Sequence, residues 1–194
     1  RWKVDPINMP QSAWKLAVFS VGEQSSSLHV DASSIASSYL KDILIHDAAL
    51  SLIPVELRQN SFSSAFRSAR EAGADYFMII SASENERDLS LKAELFVART
   101  GTAAASYVSF RTGPDRLRNA ARQLGSWLSD SLPFRAALID RHSSQALINK
   151  GKADGVSIGD TYEIVRQGAV QVDNEGIGFS YNQNAVVGSL IIEE

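Results

Sequence analysis

The chain has 194 residues, of which 44% are hydrophobic and 21% charged, values of an ordinary globular protein that exclude a disordered or fibrous one. A formal net charge of −3 argues against a general nucleic-acid binder, and the absence of cysteine removes disulfides, thiolate zinc sites, iron–sulfur clusters and cysteine nucleophiles. Charge is uneven: up to Arg135 there are 15 basic and 14 acidic residues, and from Ala136 onward 4 basic and 8 acidic, so the second part would steer toward basic partners.

The opening, Arg1 to Pro6, lacks the apolar stretch of a signal peptide and reads as cut from a longer chain. Lys15 to Val21 is an apolar run suited to a buried strand, followed by a Gly-Glu-Gln-Ser-Ser-Ser loop. Asp31 sits where an N-cap belongs, ahead of a helical stripe of Ile35, Tyr39 and Ile43 widened by Ala36, Leu40 and Leu44. Leu50 to Val55 is a second strand candidate that Pro54 demotes to an edge or an irregular segment. Ser61 begins another helix, with Phe62, Phe66 and Ala69 on one face and Gly73 as its stop.

Tyr76 to Ile80 is apolar on both faces and predicts a central strand. Leu89, Leu91, Ala93, Leu95 and Val97 alternate with polar residues, and Thr100-Gly101-Thr102 turns the chain into a partner strand over 105–111. Pro114 stands at the expected first position of a third helix, with Asp115 favouring its positive end. Leu117, Ala121, Leu124, Leu128 and Leu132 form its apolar face, and Pro133 ends it. Phe66, Tyr76 and Leu124 are expected in the core.

Beyond Pro133 no helical stripe persists. Short strand-like runs at 136–139, 145–149, 161–165, 169–172 and 186–192, punctuated by glycines, predict a small β-barrel. The expected architecture is therefore a mixed α/β domain over 1–133, with helices packed on a mixed sheet, followed by a small all-β barrel over 134–194.

The residues that carry chemistry are few. His29 lies in or near a polar loop, and His46 ends a helix, where its partial charge suits the negative dipole end. Asp140, His142 and Ser143 hold the letters of a catalytic triad, but triad members arrive from separate elements, and a strand-to-turn segment accounts for them. Glu84, Glu86 and Asp88 read as solvated turn residues, because an acid pair needs a cleft and a raised pKa. Asn149, Asp154 and Asp160 miss the calcium-loop spacing, and Gly176-Ile177-Gly178 has no helix behind it to hold a phosphate. No catalytic, cofactor-binding or metal-binding residue is assigned, and no cofactor is expected. Arg111, Arg116, Arg118 and Arg122 form a basic run around the third helix. A solvated face explains it simply; Arg111, Arg118 and Arg122 are also the candidates for docking an acidic protein.

Two stretches resemble known families. Ser61-Phe62-x-x-Ala65-Phe66-x-x-Ala69-Arg70-x-Ala72-Gly73-Ala74-Asp75-Tyr76-Phe77 resembles the helix-to-strand element of bacterial envelope domains, the family of the TolB N-terminal domain, the FlgT middle domain, CsgG and the LpoB lipoproteins. The run over 146–165, with Asn149, Gly151, Asp154, Gly155, Val156, Gly159 and Asp160, resembles the C-terminal barrel of FlgT-like proteins. In that run Gly155 and Gly159 suit positive φ, Val156 an inward position, and Asp160 a bond to the turn backbone. The Asp173–Gln183 insert departs from that pattern. The resemblance implies a periplasmic or envelope-associated protein with no catalytic residues, acting on a protein partner or by self-assembly. An assembly module of an envelope machine, the flagellum among the candidates, is the first reading. A regulatory module docking on a cell-wall enzyme is the second, and a small-ligand or enzymatic domain the third.

Overall fold

The computed structural model describes residues 12–21, 29, 31–174 and 176–193, so the opening Arg1–Pro6 and the 22–27 loop lie outside the described residues. The chain divides into two compact units. One is 14–133 joined by 172–178; the other gathers Ser12 and Ala13 with 134–171 and 179–193.

The larger unit is a mixed α/β domain built on one mixed sheet and three helices. β1 (Trp14–Val21) is followed by α1 (Ala32–Leu44), then β2 (Leu50–Leu52) and β3 (Arg58–Gln59), α2 (Phe62–Glu71), β4 (Tyr76–Glu84), β5 (Asp88–Val97), β6 (Ala103–Thr112) and α3 (Arg116–Ser131). The strand order is β2-β1-β4-β5-β6, with β3 also paired to β1. β2, β3 and β4 run parallel to β1, while β4–β5 and β5–β6 are antiparallel. Pro54 falls between β2 and β3, so that edge is two short pieces, as the sequence implied.

Topology assigns the helix faces. The chain steps from β1 outward to β2 through α1, then back past β1 to β4 through α2. Right-handed crossovers in opposite directions put the two helices on opposite faces. Alternation then sorts the strand residues. Ala17, Phe19, Phe77 and Ile79 pack with Ala65 and Ala69 of α2, and Phe66 and Phe96 join that cluster. The other parity, including Leu16, Val18, Met78, Ile80, Leu91 and Leu95, is equally buried. It is covered by α1 and α3, which contribute Ala36, Leu40, Leu44, Ala121, Leu124 and Leu128 to the buried set.

α2 is specified locally. Ser61 caps it, its Oγ accepting from the Ser64 N–H while the Ser64 hydroxyl answers the Ser61 N–H, and Gly73 follows at φ +71°. Tyr76 and Leu124 are buried as expected. Phe66 is only half-buried, because its ring lies at the rim of the α2 cluster, beside Gly101.

Three local expectations are corrected. α1 buries Ala32, Ser33, Ala36, Ser37, Leu40 and Leu44, whereas Ile35 is 51% exposed. Small serines let the helix approach the sheet: the Ser33 hydroxyl accepts from the Ala82 N–H, and the Ser37 hydroxyl donates to the Ser33 carbonyl at 2.7 Å. The N-cap Asp31 makes no cap bond; its carboxylate accepts from Arg58 instead. α3 starts at Arg116 rather than Pro114, which sits in the turn before it.

The second unit contains no closed barrel among the described residues. β7 (Leu138–His142) pairs with β8 (Gln145–Ile148), β9 (Thr161–Val165) pairs with β12 (Val186–Ile191), and no ladder joins the two pairs. β10 (Gln171–Val172) and β11 (Phe179–Ser180) have two residues each, too few to bridge them. Closure requires every strand to find two neighbours, and strands this short do not supply the pairing. The turn features hold: Gly155 and Gly159 have φ of +87° and +92°, Val156 is buried, and Asp160 Oδ2 accepts from the Ser157 N–H.

Candidate functional site

The residues with catalytic lettering serve local structure. Asp140 and His142 stand 3.6 Å apart on an exposed strand end, next to Ser143 in a hairpin turn at φ +54°. Asn149 Oδ1 accepts from the Ala137 N–H, and Asp154 accepts from the Gly151 N–H and from Lys150 Nζ. Asp160 also accepts from the Tyr162 hydroxyl. The carbonyl and N–H of Gly178 engage the Tyr76 hydroxyl, whose pKa burial raises. Among the described residues no three His, Asp or Glu side chains gather as metal ligands, and no helix is long and apolar enough to cross a membrane.

Glu84 is not the solvated turn residue that its neighbours in sequence implied. It ends β4 with only 12% of its side chain exposed, between His29 Nδ1 at 3.0 Å and Arg116 at 3.1 Å. Burial pushes its pKa up, but the hydrogen bonds from His29 and Arg116 outweigh that and hold it below the ordinary 4.5. A folded carboxyl that binds its proton less tightly than the unfolded one stabilises folding above about pH 4.5, and that stability is lost as pH falls through the lower folded value. Glu84→Gln is therefore expected to flatten the acid limb of a plot of urea midpoint against pH. An unchanged acid limb would refute this.

The candidate arginines separate. Arg111 is tied to its own surroundings: its guanidinium donates to the Phe110 carbonyl at 2.8 Å and to Gln123 Oε1 at 2.5 Å. The same Gln123 oxygen accepts from the Ser109 hydroxyl, and Tyr107 stacks on Trp127 at 5.1 Å, so α3 is fastened to one face of β6. Arg118 and Arg122 are exposed, one helical turn apart, and no hydrogen bond or ion pair engages them among the described residues. The structure thus does not bring the three together as one patch.

What the sequence did not single out is the opposite face of β6. Val108 and Phe110 are 55% and 56% exposed. Register places them beside Lys92 and Ser90 of β5, beyond the part of the sheet that α2 covers. β6 is also the last strand of the sheet, so among the described residues one whole side of its backbone has no strand partner. The available signal was the parity of Ser106, Val108 and Phe110 against Tyr107, Ser109 and Arg111, read together with the strand's position at the end of the hairpin.

The arrangement is that of a mixed α/β domain with helices on both faces and one long open antiparallel edge. The sequence pattern that defines the second domain of the TPASS_0648 family matches residues 13–130, and the chain belongs to that family. No curated protein matches it in sequence. Among solved structures it is similar to the LpoB C-terminal domain from Salmonella enterica, with 21% identity and a TM-score of 0.42, over 55% of this chain and 87% of that one. It is also similar to the PelC dodecamer from Paraburkholderia phytofirmans, with 21% identity and a TM-score of 0.45, over 62% and 89%. A third is TolB from Acinetobacter baumannii, with 11% identity and a TM-score of 0.45, over 62% of this chain and 28% of that one.

Proposed function

We propose that the chain is a non-catalytic protein-interaction or assembly module of the bacterial cell envelope, and that it takes an extended partner segment onto the free edge of β6. One observation carries this reading. β6 is a ten-residue edge strand whose only charge is Arg111, and it exposes Val108 and Phe110. Natural sheets blunt such edges with lysines, prolines, bulges or very short strands. The β2–β3 edge is blunted in that way, with strands of three and two residues around Pro54. β6 carries no proline or lysine, and its one register shift lies at the Ala103 end. A long edge with a single charge offers main-chain donors and acceptors for β-augmentation, with neighbouring apolar side chains for specificity.

The envelope setting rests on the resemblance of the 61–77 element, and a flagellar setting on that of 146–165 alone. A regulatory module docking on a cell-wall enzyme uses the same surface and differs only in its partner. The test is a photo-crosslinking residue at Val108 in cells that make the protein. A discrete adduct is expected, and Val108→Lys with Phe110→Lys, which adds two cations to the edge, is expected to abolish capture while the urea midpoint stays near wild type. Capture that survives both lysines would place the interface elsewhere. Turnover of a small substrate by the purified protein would overturn the non-catalytic reading.

A further inference from the structure

β6 is asymmetric along its length. From Ala103 to Ser106 its side chains are small, and from Tyr107 to Arg111 they are bulky apart from Ser109. Its single charge, Arg111, stands in the bulky half and is already bound to Gln123 and to the Phe110 carbonyl. The charged residues of the neighbouring strand β5 are Asp88, Lys92 and Glu94. Lys92 and Glu94 pair with each other at 2.8 Å, and Asp88 stands opposite Thr112 at the far end, so the middle of the edge carries no net charge.

Two copies of the chain can meet at sheet edges in two ways. Joining β6 to the opposite edge of the next copy is a head-to-tail contact that need not close. That edge also offers only strands of three and two residues around Pro54. Joining β6 to β6 antiparallel closes at once on a two-fold axis perpendicular to the sheet. Such an axis keeps each face of the sheet on its own side, so opposed residues share a parity, and full overlap puts the axis at Tyr107 or at Val108. With the axis at Tyr107, Phe110 lies opposite Ala104 and Arg111 opposite Ala103. With the axis at Val108, Phe110 lies opposite Ser106 and Arg111 opposite Ala105. Either register lays the bulky half of one strand on the small half of the other. It also keeps the two Arg111 positions about 20 Å or more apart at roughly 3.3 Å per residue. Parallel pairing would instead set Arg111 against Arg111, a like-charge contact that destabilises a ladder.

We propose that the strand taken by the β6 edge is β6 of a second copy of this chain, so that two sheets join into one across a two-fold axis. This rests on the reading of β6 as a binding edge and names its occupant. The sequence of β6 has what the edge requires of a partner: an uncharged middle, alanines to face Phe110 and Arg111, and bulky residues to cover alanines. Pairing also sets Val108 and Phe110, which are 55% and 56% exposed, beside residues of the second strand.

The probe is the purified chain alone. Sedimentation over a concentration series is expected to show a monomer–dimer equilibrium and no larger species. Val108→Lys and Val108→Glu should each weaken the dimer by about tenfold or more, because each brings two like charges together beside the axis. An equimolar mixture of the two should recover it, which misfolding of either would prevent. The chain has no cysteine, so a single introduced thiol reports its neighbours. Val108→Cys should be linked into dimers by a short bismaleimide, whereas Thr112→Cys should not, since antiparallel strands hold the two Thr112 positions far apart. A chain that is monomeric at every concentration, a dimer indifferent to both charges, a mixture that stays monomeric, or equal linking through Thr112→Cys would each overturn the proposal. If the chain is monomeric while a photo-crosslinker at Val108 captures a different protein in cells, the edge reading stands and the choice of partner falls. If it captures nothing, both fall.

Discussion

Phe77→Ala is expected to lower the unfolding free energy by about 3–5 kcal/mol, among the largest effects of any single substitution in this domain. Phe77 is fully buried and lies at the centre of the cluster beneath α2. Its ring stacks on Phe96 at 5.1 Å and meets Phe62 at 5.7 Å, Phe66 at 6.1 Å and Phe19 at 6.3 Å. Removing it leaves a cavity that four aromatic rings cannot all collapse to fill. α2 has ten residues, fewer than the roughly 12–15 at which an isolated helix becomes even marginally stable in water, so it depends on this packing. The urea midpoint should fall with the m-value unchanged, and the amides of 65–71 should lose exchange protection. Phe66→Ala, at a half-buried position on the same cluster, should cost less. A midpoint that does not move for Phe77→Ala would mean that α2 is not packed as described.

Leu124→Ala is expected to cost about 2–5 kcal/mol on the opposite face. Leu124 is fully buried in α3, between Ala120 and Ala121 on one side and Gly125 and Leu128 on the other, where the helix lies against the sheet and α1. Those neighbours are small or already fully engaged, so the site cannot shrink around the missing atoms. Leu124→Met keeps the volume and should cost less than about 1.5 kcal/mol, which separates a packing effect from a local intolerance of α3. Because Phe77 and Leu124 serve different faces of the sheet with no common partner, the double alanine variant should be additive to within about 0.5 kcal/mol in urea titrations. Strong coupling would show that the two cores are one.

By itself the sequence determined the features that a residue shares with its near neighbours. The Ser61 cap and the Gly73 stop of α2, the Gly101 turn at φ +74°, the two-faced apolar run of β4 and the alternation of β5 all rest on contacts within a few residues. The order of the three helices and of β1, β4, β5 and β6 was legible for that reason, though β3 was not, and so were the turn roles of Gly155, Gly159 and Asp160. Only the tertiary structure decided the choices that a distant partner makes. α1 carries two overlapping apolar stripes, and the buried one is that with serines small enough to approach β4, which leaves Ile35 in solvent. Glu84 became a part-buried, paired carboxylate because α3 brings Arg116 back to the end of β4, 32 residues later. The strands after Pro133 read as a barrel because turn glycines and short apolar runs specify hairpins, whereas closure depends on pairings between hairpins that no local pattern encodes. The open edge of β6 has the same origin. Exposure is the absence of a covering element, and only the assembled fold decides where that absence falls.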